Sequence, residues 1–246
     1  MSENANFLIF SFGRTGSTLL THILNSHPSI KCLNEPFNPG QEINWQKEIA
    51  DLESLKTVLR NIYNLYNGIR HLSRDLAFNY NKYLLLNKHI KVIFLWRKNF
   101  LQQTMSWYIS RQTNSWFVQT KHKILDHKFK PADINEIKEY LNSNKKEYSK
   151  YLSLLKTERK EFFELNYEDC FSLDISIDNK VSKVKEILTF LGYNTLLDET
   201  ILKRIKHLLN PEIYKLNSER TYRLIPNVED IERELGSSEN GHLFSA

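Results

Sequence analysis

The chain has 246 residues, 34 Lys and Arg against 29 Asp and Glu, a formal net charge of +5 and 41% hydrophobic content. This length and composition suit one globular domain with a sizeable core and exclude a disordered or fibrous chain. The positive balance favours an anionic ligand, but it is spread without a block of like charge, so nucleic acid is not an expected partner.

The first element, Phe7 to Phe12, is a short apolar run closed by Gly13 and followed at once by a helical pattern, as in a buried parallel strand leading into a helix. The helix is predicted from Ser17 to Ser26, with Leu19, Leu20, Ile23 and Leu24 on one face, and His27-Pro28 ends it. Ile30 to Leu33 reads as a second strand that delivers Asn34-Glu35-Pro36 to its carboxyl end. Trp45 to Tyr66 is helical by spacing and stops at Gly68, and Gly68 to Leu72 is a candidate strand. Lys91 to Trp96 is a clear strand, followed by Arg97 and a helix to about Ser110.

Pro131 is predicted to open a long charged helix over residues 132–155, and Glu161 to Asn166 alternates as a strand. Asp178 is the expected cap of a helix that stops at Gly192, and residues 198–209 form another. The C-terminal segment 215–246 is loop-rich, with a short helix near Val228 to Leu235. Strands alternating with helices predict a single three-layer α/β domain around a central parallel sheet, with ligands at the carboxyl ends of the strands.

Cys32 and Cys170 have no metal-ligand spacing and are expected to be free and buried in a reducing compartment. With neither a signal-peptide pattern nor a membrane-length apolar run, a cytoplasmic location is expected.

The turn Gly13-Arg14-Thr15-Gly16-Ser17-Thr18 aims backbone N–H groups and a helix dipole at one point, a cradle for phosphate or sulfate. An ordinary helix-capping turn is the simpler alternative. A nucleotide triphosphate loop would need more residues between its glycines and a lysine before Ser17. Instead, Arg14-Thr15-Gly16-Ser17-Thr18 resembles the 5′-phosphosulfate loop of sulfotransferases that use 3′-phosphoadenosine 5′-phosphosulfate (PAPS), in the arginine form found in bacterial carbohydrate and lipopolysaccharide-type members. Gly13 stands where that branch carries proline.

The resemblance implies roles for further residues. Arg97 and Ser106, in "VIFLWRKNFLQQTMSW", are similar to the family's pair on the ribose 3′-phosphate, and the stretch through Gln112, Thr113 and Trp116 looks like the same branch. "NYEDCF" and "VKEILTFLG" are diffusely similar, and Lys215 resembles a residue of a C-terminal segment that closes over the cofactor. Sulfuryl transfer would then run from PAPS, without a metal, to a hydroxyl of a carbohydrate, glycolipid or similar small acceptor. Arg14 would serve as an electrostatic clamp on the leaving oxygen and Glu35 as the base. A salt bridge from Glu35 to a nearby arginine, Arg14 among them, is its alternative role.

Trp107, Tyr108, Trp116 and Phe117 are candidates to meet the acceptor, although aromatics at helical spacing also build cores. The basic loop Thr120 to Lys130 could cover the cleft or meet an anionic glycolipid, with a solvated loop the simpler reading; His22 and His71 read as packing or surface residues, and Arg70, which could reach the cleft, as a structural one. A nucleotide-dependent kinase and a PAPS-binding protein without turnover are the competing functions. Against the kinase, the middle strand ends in Arg97 where a magnesium-holding aspartate would stand.

Overall fold

In the computed structural model, which describes residues 6–116, 120–214 and 216–244, five strands form one parallel sheet. They are β1 (Asn6–Ser11), β2 (Cys32–Asn34), β3 (Gly68–Leu72), β4 (Ile90–Trp96) and β5 (Phe162–Asn166), ordered β2-β3-β1-β4-β5. β1 is central because both its faces are apolar, and successive side chains go to opposite sides. Phe7 and Ile9 join Ile93 and Leu95 in one layer, under helices α1 (Ser17–Leu24), α7 (Tyr167–Phe171), α8 (Ile177–Leu191) and α9 (Glu199–Leu208). Leu8, Phe10 and Phe12 join Val92 and Phe94 in the other, under α2 (Leu52–Leu65), α3 (Phe78–Leu86) and α6 (Ile134–Thr157).

A third cluster packs α4 (Phe100–Thr113) and α5 (Lys121–Leu125) against the C-terminal segment, which holds α11 (Glu219–Tyr222) and α12 (Val228–Leu235) after α10 (Pro211–Tyr214). The chain leaves β1 toward β2 and β3, then crosses back to β4 and β5. The turn after β1 therefore lies where the strand order reverses, the crevice in which such sheets bind ligands.

Several boundaries differ from the sequence expectation, for local reasons. The stretch Trp45–Tyr66 is two pieces: a 3₁₀ turn, Gln46–Glu48, and α2. Asp51 interrupts them because its carboxylate accepts from the Ser54 amide while the Ser54 hydroxyl receives the Asp51 amide, a reciprocal cap on extended backbone. α6 starts after Asp133, not at Pro131, since Asn227 pairs with both the amide and the carbonyl of Ala132 and holds that stretch outside the helix. Ser176 rather than Asp178 caps α8. β2 begins at Cys32, where the Asn25 amide group brackets the backbone N–H and C=O. α3, which the spacing did not announce, packs Leu84 and Leu85 into the second layer. Cys32 and Cys170 are free and buried.

No helix among the described residues is long and apolar enough to cross a membrane. Gly68 pairs in register with Phe7, and a Cβ there would lie 2.1 Å from the Phe7 ring. Gly68→Ala is therefore expected to lose about 1–3 kcal/mol of stability, read as a lowered urea midpoint at unchanged slope.

Candidate functional site

The carboxyl ends of β1, β2, β3 and β4 open into a cavity of about 660 Å³, a volume suited to a nucleotide-sized ligand. Its floor is the turn between β1 and α1. Gly16 caps α1 in the left-handed conformation (φ 78°), and a Cβ there would come within 2.9 Å of Phe171 and 3.0 Å of Tyr167. Arg14, also left-handed at φ 66°, bears a strain that glycine would not. Among the described residues, no protein acceptor meets the backbone N–H groups of residues 14–19, so the turn and the first turn of α1 form a compact array of free donors. The Gln103 amide secures the turn from α4 by donating to the Gly13 carbonyl at 2.7 Å.

Two guanidinium groups face this array, Arg97 buried and Arg14 partly buried. Arg14 donates Nε to Ser106 Oγ and Nη1 to the Trp116 carbonyl, both at 3.0 Å, and lies 5.9 Å from the centre of the Trp116 ring. Burial, and next the Arg97 charge, bring the Arg14 guanidinium down to about 10. Arg97, 5% exposed, donates to Gln102 Oε1 and lies over the Tyr167 ring at 4.4 Å. Its Nε is buried without a hydrogen-bond partner; the Glu168 carboxylate stands off at 3.9 Å while accepting the amides of Lys98 and Asn99. Like charges desolvated side by side, with N–H groups to spare, are a receptacle for an anion.

Opposite them, Glu35 ends the β2 segment at φ 44° and is 6% exposed. One carboxylate oxygen pairs with Arg70 Nη2 at 2.6 Å; the other accepts from Asn38 at 2.7 Å and from Gln41 at 3.2 Å. The Arg70 guanidinium, on β3, also donates to Ser17 Oγ at 2.8 Å and to Asn34 Oδ1. Burial lowers Arg70 below its ordinary value, with Glu35 the largest opposing influence.

Of the residues singled out in the sequence, Arg14, Gly16, Ser17, Thr18, Glu35, Arg97 and Ser106 all line the cavity. Thr15 does not: its buried hydroxyl turns back to the Phe12 carbonyl at 2.8 Å and braces the turn. Lys215 and Phe117 lie outside the described residues. Arg70, expected to be structural, is a wall of the cavity, and it is Arg70 rather than Arg14 that pairs with Glu35.

Trp107 and Trp116 line the cavity, while Tyr108 packs into the third core cluster. Residues 121–125 of the basic loop are helical. His22 is in the lining, lowered from its ordinary value by burial and then by Arg70. Sequence reading missed Arg74 and Asn217. Asn217 donates to Ser106 Oγ at 2.8 Å across 111 positions, a contact with no local signal.

No protein-family profile matches the chain, and a comparison with curated proteins found no match. Among solved structures, the mouse sulfotransferase SULT7A1 complexed with PAP aligns over 97% of this chain and 82% of its own, at 14% identity and a TM-score of 0.46.

Behind the cavity, burial lowers His71 to about 4, and burial followed by the Glu35 charge raises Asp75 to about 6. The signs oppose. Between about pH 6.5 and 4 the unfolded chain protonates His71 and the folded one does not, so acidification destabilises. Between about pH 6 and 3.8 the folded chain protonates Asp75 and the unfolded one does not, so acidification stabilises. Asp75→Asn removes the second effect alone; its urea midpoint should fall more steeply than the wild type's between about pH 6 and 4, and equal slopes would refute the assignment.

Proposed function

We propose that the chain transfers a sulfuryl group from PAPS to a hydroxyl of a carbohydrate, glycolipid or similar small acceptor, by in-line displacement. The observation that carries this reading is the meeting of two guanidinium groups, the partly buried Arg14 and the buried Arg97, with the free amides at the start of α1. A donor with two separated phosphate positions uses both: the amides of residues 14–19 with Arg14 for the 5′-phosphosulfate, and Arg97 with Ser106 for the ribose 3′-phosphate. The residues fit that group, since Arg97 Nε is without a partner and Ser106 Oγ, which accepts from Arg14 and Asn217, keeps its own proton to donate.

In the displacement the acceptor oxygen bonds to sulfur as the bond from sulfur to the bridging oxygen breaks, and negative charge grows on the phosphate that leaves. Arg14, charged at neutral pH, stabilises that oxygen electrostatically and donates no proton to it. The acceptor's proton passes to Glu35. Of about four lone-pair positions on its carboxylate, three are engaged by Arg70, Asn38 and Gln41, and the remaining one serves an incoming hydroxyl. The C-terminal segment, which brings Leu216 and Asn217 to the cavity, would close over the donor.

Calorimetry with PAP, 5′-AMP and ATP, without magnesium, tests the donor. Wild type should select PAP, and Arg97→Ala should weaken PAP about 10- to 150-fold, as loss of a charged hydrogen bond does, while leaving 5′-AMP within about twofold. Preference for ATP with magnesium would overturn the reading in favour of a kinase. Glu35→Gln should bind PAP as wild type does yet transfer sulfuryl about 10²–10⁴-fold more slowly; full activity would remove Glu35 as the base.

A further inference from the structure

The cavity has two halves. Arg14 after β1, Arg97 at the end of β4, Ser106 on α4 and Tyr167 after β5 line one, while Glu35, Asn38 and Gln41 after β2, Arg70 on β3 and Arg74 after it line the other. If Glu35 takes the acceptor's proton, the acceptor occupies the second half. Arg74, in the 3₁₀ turn Ser73–Asp75 directly after β3, is the cation of that half which Glu35 does not neutralise.

Its side chain is half exposed, and the nearest carboxylate, Asp75, is 3.9 Å from its Nε, beyond hydrogen-bond distance. A Cβ built on Gly13 would lie 3.7 Å from Arg74 Nη1 and 3.9 Å from the Tyr140 hydroxyl, so both side chains border the turn after β1. Tyr140 in turn stacks on Trp107 with ring centres 3.7 Å apart and planes 7° from parallel. A guanidinium with open donors, the Trp107 ring and the Glu35 carboxylate therefore line the same cavity.

We infer that the acceptor is itself an anion, a hydroxyl compound whose carboxylate or other acidic group pairs with Arg74 while its ring packs along Trp107. This rests on the sulfuryl-transfer reading above and names its substrate class. Arg74 is thereby a specificity-determining residue: an uncharged analogue leaves its donors without the paired anion.

Two matched pairs test this, each differing only in charge: 4-nitrophenyl β-D-glucuronide against its methyl ester, and 4-hydroxybenzoate against methyl 4-hydroxybenzoate. Affinities are measured by calorimetry on PAP-saturated wild type and Arg74→Gln, and sulfuryl transfer from PAPS is followed for whichever members bind. In at least one pair the anion should bind wild type about tenfold or more tightly than the ester, and Arg74→Gln should remove that preference by weakening the anion alone. Absence of preference in both pairs, including absence of binding by all four, overturns the proposal, as does a preference that survives in Arg74→Gln. Equal slowing of anion and ester turnover in the variant would assign Arg74 to the donor instead. A protein that binds no PAP fails the sulfuryl-transfer reading, whereas one that binds PAP without a carboxylate preference fails only this inference.

Discussion

Every nitrogen of the Arg70 guanidinium is committed: Nε to Asn34, Nη1 to Ser17 and Nη2 to Glu35. One buried cation on β3 thereby ties the end of β2, the first turn of α1 and the carboxylate of the cavity into a single unit. A buried ion pair is weak evidence for net stability, since desolvation offsets much of the attraction, but removing one partner costs about 3–5 kcal/mol. The arrangement is thus strongly determined once formed. Its planar fork fixes the carboxylate relative to the turn after β1, which a flexible ammonium would do less well.

The rest of the cleft bears stress that this unit helps contain. Arg14 and Arg97 are desolvated near one another, and the Arg97 charge depresses Arg14. Among the described residues, four that are not glycine have positive φ, and three of these, Arg14, Glu35 and Asn114, line the cavity. Strained backbone and uncompensated charge are both unfavourable for folding, and both gather around this one cavity, as they do at functional sites. The surrounding layers of Phe, Leu and Ile on the two faces of the sheet supply the stability against which this is held.

Much of the fold is legible because its signals are local. An apolar run bounded by glycine specifies β1, "KVIFLW" specifies β4, and Gly192, left-handed at φ 88°, stops α8 where expected. Misplaced boundaries arose where a distant residue or a competing cap decided: Asn227 holding Ala132 out of α6, Ser54 reinforcing Asp51 before α2, Ser176 ahead of Asp178. The site divides in the same way. Arg14, Gly16, Ser17, Arg97 and Ser106 sit in motifs a few residues long, whereas Arg70 and Arg74 sit in "IRHLSRD", where the strand over 68–72 is legible but the turn after it and the cavity that both arginines line are not.

The sequence by itself determined the alternation of strands and helices, the glycine-bearing turn after β1 and the candidate residues within it, because turn chemistry, helix caps and apolar periodicity act over a few positions. Only the tertiary structure decided that Glu35 pairs with Arg70 and not Arg14, that Thr15 faces away from the cavity, and that Asn217 reaches Ser106. Those outcomes depend on strand order, which sets β3 between β1 and β2, and on the C-terminal segment returning to the carboxyl edge of the sheet. Strand order and chain return are settled by packing the whole core at once, and no short stretch of residues encodes them.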